Sequence, residues 1–277
     1  MTNQPWVCPS CSHEALGSYC SQCGERRQVA DELTWRAFIG QLLGGLFNLD
    51  GRLWRTLASL VFVPGQLAVR YCRGERVRWM RPVQLFLLVN LIYFLVQPHL
   101  GFNAFRTTLE LQIERQSYSQ WIRPLVEARI AARGVAPAEY AMAFNALVGD
   151  LARLLLVLLI PLTAGCMHLV AGGRGRRFLE HMVLATHYVA GQLLVFHVLL
   201  LAVVHLGMRL GWLRYQENFG MLTNLLMLVV WLTFAWRRFH GVTWGRAVVA
   251  AVLLALAWMP TLLGYRLALF WLTYWLV

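Results

Sequence analysis

The stretch from Arg52 to Val96 constrains this chain more than any other. It places seven arginines, at 52, 55, 70, 73, 76, 78 and 81, directly before an apolar run that begins at Val83. A guanidinium group is costly to leave in hydrocarbon, whereas about 20 apolar residues in a helix span a bilayer. The join between the two therefore fixes one end of the first span to the arginine-rich side. The rest of the 277-residue chain repeats the theme: 58% of it is apolar and the mean hydropathy is +0.53, against roughly 45–50% apolar for soluble domains. The net charge is +12, and every basic residue is Arg. Such a balance suits nucleic acid or an anionic membrane surface; arginines that flank apolar runs favour the membrane. The pattern predicts an all-α polytopic membrane protein with about five transmembrane helices.

The N-terminus is different. Residues 8–23 read CPSCSHEALGSYCSQC, a C-x2-C-x8-C-x2-C spacing. Two such knuckles present four thiolates, Cys8, Cys11, Cys20 and Cys23, as a tetrahedral set for structural zinc. A redox dithiol pair is the alternative. The spacer is shorter than in the usual ribbon, so residues 1–30 read as a minimal zinc ribbon whose folding free energy comes mostly from the metal. Arg26 and Arg27 are placed to offset the charge of a four-thiolate centre, and His13 reads as a surface residue. No basic region followed by an apolar core precedes the motif, so no export signal is expected. Thiolate ligands call for a reducing compartment.

Residues 31–82 read as arginine-rich interfacial amphipathic helices. Asp31 caps a helix that runs to about Leu49 and ends at Asp50-Gly51. A second, Arg52 to Phe62, puts Leu53, Trp54, Leu57, Leu60 and Val61 on one side and Arg52, Arg55 and Ser59 on the other. Pro64-Gly65 ends it, and a third piece from Leu67 to Arg73 stops at Gly74. These helices either lie on the bilayer surface or pack on the protein's own spans. Arg55, Arg73, Arg76, Arg78 and Arg81 are candidates for contact with anionic lipid headgroups.

The transmembrane domain, 83–277, carries spans expected at about 83–102, 151–171, 182–206, 219–236 and 247–263. A 103–150 periplasmic loop with helical pieces follows the first. Pro161 is expected to kink the second span. After Leu263, a tail with Trp271, Tyr274 and Trp275 reads as interfacial. Five spans put the N-terminus, the 172–181 loop and the 237–246 loop on one side with sixteen arginines; the opposite loops hold seven. The positive-inside rule makes the richer side cytosolic, in agreement with the thiolates.

One set of residues carries a likeness to a known family. The CxxC–CxxCG ribbon is followed by Arg55-Thr56, Pro64-Gly65, a Y-x2-G-x-R pattern (Tyr71, Gly74, Arg76), Trp79 and Pro82, and later by Glu180, His181 and His187 in E-H-x5-H. In this order the chain resembles the bacterial "domain of unknown function 3667" family, with Trp79 where Tyr is usual. The resemblance covers the ribbon through the first span closely and the rest more loosely. It implies a multi-pass protein of the bacterial inner membrane with a cytosolic N-terminus, and it implies no reaction.

Glu180, His181 and His187 are the candidate catalytic residues, since ionisable groups at membrane depth usually face an interior or water. The alternative is that each imidazole satisfies a backbone carbonyl. Cys72, Cys166, Met167 and His168 read as packing. No HExxH or paired-aspartate pattern assigns a reaction, and the reading inclines to a non-enzyme. Three roles follow. The favoured one is a zinc-ribbon docking or anchoring module that handles a lipid, a small solute or a cytosolic partner protein. The others are an oligomeric small-solute or ion transporter or channel, and an intramembrane enzyme built on span three. Nucleic acid is disfavoured because the ribbon lacks an Arg/aromatic surface beyond Arg26 and Arg27. Homo-oligomerisation is left open.

Overall fold

The computed structural model describes residues 5–8, 13–22, 51–75, 79–100, 105–173, 175–212 and 217–277, with side chains in the last stretch from 223 onward. The chain divides into two compact units, Met1–Trp54 and Arg55–Val277. The helix expected from Asp31 to Leu49 lies outside the described residues, as do Cys11, Cys23, Arg76 and Arg78.

In the first unit, β1 (Trp6–Val7) pairs antiparallel with β2 (Glu14–Ala15), Trp6 opposite Ala15 and Val7 opposite Glu14. The Cys8 N–H closes the turn on the His13 carbonyl at 2.9 Å, and Trp6 Nε1 donates to the Gly17 carbonyl at 2.9 Å. Its buried core consists of Cys8, Ala15 and Cys20, with Trp6 against them. His13 is exposed, as expected.

Among its described residues the second unit has helices and no strand. It runs α1 (Arg52–Phe62, its first residues before the unit boundary), α2 (Gln66–Cys72), α3 (Pro82–Leu100), α4 (Leu109–Glu114) and α5 (Ser119–Arg133). Then come α6 (Pro137–Leu155), α7 (Leu159–Val170), α8 (Phe178–Gly191), α9 (Leu201–Arg209), α10 (Glu217–His240) and α11 (Trp244–Leu276). A 3₁₀ turn, Leu156–Leu158, joins α6 to α7, and a π-helical segment, Gln192–Leu200, joins α8 to α9. Among the described residues four continuous helices are long and apolar enough to cross a membrane: Pro82–Leu100, Pro137–Val170, Phe178–Arg209 and Trp244–Leu276. The span expected at 219–236 lies within α10.

Burial explains the apolar excess. On α3, Leu85, Phe86, Val89 and Tyr93 are buried, while Val83, Leu87, Leu91 and Leu95 form an i, i+4 stripe more than half exposed. On α11, Ala247, Ala250, Ala251, Leu254 and Ala255 face inward and Val249, Leu253, Leu256 and Met259 face out. A helix apolar on both faces needs an apolar solvent on the outer one.

Three features differ from the sequence reading. The second and last spans are longer than expected: 34 and 33 residues make rods of about 50 Å, against a hydrocarbon core of about 30 Å. Pro161 has no N–H to give the Val157 carbonyl, which instead accepts a backbone N–H at the end of the 3₁₀ turn Leu156–Leu158. The tail after Leu263 is not a separate element but the end of α11. It is held by packing: Tyr265, Leu269, Phe270 and Thr273 are buried, the Tyr265 hydroxyl donates to the Ala152 carbonyl at 3.1 Å, and Arg129 lies 4.3 Å over the Tyr274 ring. In α1, Trp54 is exposed, while Thr56 and Ser59 are buried. The buried face is rotated because Thr56 Oγ1 accepts the Met80 N–H at 3.2 Å.

The two short helices therefore pack on the protein's own spans as well as presenting Arg55 and Phe62 outward. Trp231 Nε1 donates to the Leu60 carbonyl (3.4 Å) and Arg238 Nη1 to the Pro64 carbonyl (2.8 Å). Gly65 sits between them with φ +80°, and a Cβ there would come within 2.7 Å of the Ala235 backbone. Only glycine permits both the backbone angle and the approach. Gly74, with φ +91°, faces open space. Gly65→Ala is expected to cost about 2–4 kcal/mol, from backbone strain plus overpacking, and Gly74→Ala about 1–2 kcal/mol from strain alone. Thermal unfolding of the full chain in detergent checks the difference; equal costs would contradict the docking.

Candidate functional site

Glu180 and His181 open α8. A carboxylate at a helix N-terminus meets unpaired backbone N–H groups and the positive end of the dipole, and Glu180 does both kinds of work. Its Oε2 accepts the Arg177 N–H at 2.8 Å and its Oε1 accepts from Arg176 Nη1 at 2.6 Å. Arg176 is fixed from its other side by Nε donating to the Phe239 carbonyl at 3.0 Å, with the guanidinium 4.2 Å over the Phe239 ring. The carboxylate thus ties the start of α8 to the end of α10.

His181 is fully buried. Its Nδ1 is 3.2 Å from the Arg177 carbonyl and 3.4 Å from His168 Nδ1. A carbonyl only accepts, so His181 carries its proton on Nδ1 and leaves Nε2 as a lone pair. His240 completes the cluster, its ring 5.3 Å from that of His181 and 4.1 Å from Trp236. Among the described residues His181 Nε2 and His240 Nε2 are buried without a hydrogen-bond partner. No group of three or more His, Cys, Asp or Glu among them is placed to hold a metal ion.

Beside this cluster lies an open cleft of about 1010 Å³. Arg73, Arg176, Arg238, Arg246 and His240 line it, and among the described residues no carboxylate does. The arginines come from the end of α2, the turn before α8, the end of α10 and the start of α11. Arg238 is held by the Pro64 carbonyl; Arg73 and Arg246 are exposed and, among the described residues, in no ion pair.

The expected span-three trio does not form one site. Glu180 is committed to Arg176, while His187 is buried two turns on and donates through Nδ1 to the Val183 carbonyl at 2.7 Å. It does not line the cleft. Gln192 and Asn224 pair with each other, Nε2 to Oδ1 at 2.8 Å, and Asn90 reaches the Arg153 carbonyl at 3.4 Å, so these polar groups do not gather around His187. Of the headgroup candidates, Arg73 lines the cleft, Arg55 and Arg81 are exposed away from it, and Arg76 and Arg78 lie outside the described residues. His168, read as packing, is a member of the cluster. Arg176, Arg238, Arg246 and His240 were not singled out. Their signal was the assignment of both loops to one side, which brings those loops within reach of Arg73.

Four long apolar helices with an arginine-lined face define the class: a multi-pass membrane protein. The chain also matches, over residues 50–94, the model of the family described as Protein of unknown function (DUF3667), and this match supports its membership in that family. The matched stretch holds α1, α2 and most of α3, including Thr56, Gly65 and Pro82, whose structural duties are given above. No curated protein and no solved structure matches the chain.

The Arg176–Glu180 pair, whose side chains are about three-quarters buried, gives a prediction. A double-mutant cycle of Arg176→Gln and Glu180→Gln is expected to return about 1 kcal/mol of coupling, read from unfolding of the full chain. Additive losses would show that the pair does not tie α8 to α10.

Proposed function

We propose that this chain is an anchoring and docking module of the bacterial inner membrane. Five crossings hold it, and a structural zinc ribbon of Cys8, Cys11, Cys20 and Cys23 offers a cytosolic partner a surface. The observation that carries this reading is that the polar groups along α8, the π-helical segment after it and α10 close on local partners. His187 is taken by the Val183 carbonyl, His197 Nδ1 by the Gln192 carbonyl at 3.1 Å, and Gln192 by Asn224. Thr186, Thr233, Thr261 and Thr273 each donate to the carbonyl four residues back. A transport path or an intramembrane catalytic pocket needs such groups turned toward a shared space; these are spent locally.

Two observations support the finer parts. Cys8 and Cys20 are buried together with Ala15 and with Trp6 packed against them, so their thiols fit a metal-stapled ribbon. The cleft gathers Arg73, Arg176, Arg238 and Arg246 at one end. The chain therefore leaves that end in α3, returns in α6–α7, leaves in α8–α9, returns in α10 and leaves in α11. That adds α10 to the four longer spans and brings the crossings to five, and the positive-inside rule makes the shared end cytosolic.

Full-length protein purified under reducing conditions is expected to carry stoichiometric zinc that is lost in Cys8→Ser and Cys20→Ser, with helix content unchanged. Proteoliposomes holding it are expected to be as tight to protons and potassium as protein-free vesicles. Protein without zinc would remove the ribbon, and protein-dependent flux would replace the anchor with a channel.

A further inference from the structure

The arginine cleft does more than mark topology. A topological signal needs only to stay out of hydrocarbon, and exposed arginines on separate loops would do that. Here four guanidinium groups from four segments converge on one space of about 1010 Å³, with no carboxylate among the described residues that line it. Among the described residues, the carboxylates beside it are engaged elsewhere: Glu180 pairs with Arg176 and Glu75 with Arg70. Arg176 and Arg238 are pre-positioned by backbone carbonyls, which lowers the ordering cost of binding, while Arg73 and Arg246 are exposed at the rim. His240 lines the same space with Nε2 buried and unpaired among the described residues. A cation would be repelled from this setting; a phosphate, with several acceptor oxygens, would satisfy it.

The other wall is apolar. Val249, Ala250 and Leu253 continue along α11 from Arg246, facing Val170 of α7, and Val249 and Leu253 lie on the outward, lipid-facing side of a helix long enough to cross a membrane. The cleft is thus amphipathic in the same sense as a membrane lipid, with charge at the end of the bundle and hydrocarbon surface leading into the span.

We propose that this cleft is a binding site for a single anionic phospholipid. Its phosphate is held by Arg73, Arg176, Arg238 and Arg246, and one acyl chain lies along Val249 and Leu253. Native mass spectrometry of the full chain in detergent, titrated with phosphatidic acid, phosphatidylcholine or inorganic phosphate, tests it. One phosphatidic acid per chain is expected, bound at least about tenfold more tightly than phosphatidylcholine. Arg73→Gln and Arg246→Gln, both at exposed positions that leave the fold intact, are each expected to weaken it about tenfold. Arg55→Gln, away from the cleft, is expected to leave it unchanged. Equal binding of the two lipids, or equal loss in Arg55→Gln, overturns the site. Inorganic phosphate binding the same arginines as tightly as the lipid overturns the lipid part and leaves a soluble anion as the ligand.

Discussion

A guanidinium group cannot shed its hydration cheaply, and the architecture follows from where these side chains are allowed to be. Arg73, Arg176, Arg238 and Arg246 belong to segments separated by up to 173 residues, yet they meet at one end of the helical body. Because they must share a face, the intervening helices are forced to cross in pairs. Because they would repel one another at close range, each must also be tied down or left at the rim. Carbonyls of Phe239 and Pro64, the Glu180 carboxylate and the Phe239 ring do the tying. The same bonds clamp the short helices α1 and α2 and the start of α8 to the end of α10. Charge placement, which first sets topology, thereby becomes tertiary structure.

Within the body, a different rule holds. Hydrocarbon offers no water to take up a polar group, and many of the polar groups there pair where they stand. Thr186, Thr233, Thr261, Thr273, His187 and His197 return to their own helix, and Gln192 finds Asn224 across helices, whereas Thr163 Oγ1 and Asn90 Oδ1 are buried without a partner among the described residues. The π-helical turn at Gln192–Leu200 lets His197 reach the Gln192 carbonyl five residues back. A wider turn gives that ring a local partner, and the helix runs on through it to Arg209.

Much of this was legible in the residues because it is local. The apolar runs at 83–102 and 182–206 appear as helices close to those limits; Pro82 opens α3 and Gly74 closes α2, as their backbone preferences require. Of the residues that carry the family likeness, those from Arg55 to Pro82 fall within the stretch that the family model matches; the ribbon cysteines and Glu180, His181 and His187 lie outside it. What was not legible is what depends on contacts far apart in the chain. The continuation of α11 past Leu263 rests on Tyr265, Leu269 and Phe270 finding α6, which no periodicity announces. The rotation of α1 rests on one hydrogen bond from Met80 to Thr56. The cleft needed loops at 172–181 and 237–246 to meet the end of α2; their arginines were visible, but counting charges does not say that they converge. Conversely, E-H-x5-H looked like a site because its spacing puts Glu180 and His187 on one face, and each proved to be occupied by a nearer partner.

The central claim is that the outer stripes of α3 and α11 face hydrocarbon while the arginine cleft faces water. Nitroxide labels introduced through an unnatural amino acid at Leu87, Leu91, Val252 and Leu256, and at Glu75 and Arg246, in full-length protein in liposomes would measure it by power saturation. The account predicts that oxygen relaxes the first four and a water-soluble nickel chelate relaxes the last two. Nickel access to all six positions alike would mean that the helices do not lie in a bilayer, and the account would fail with them.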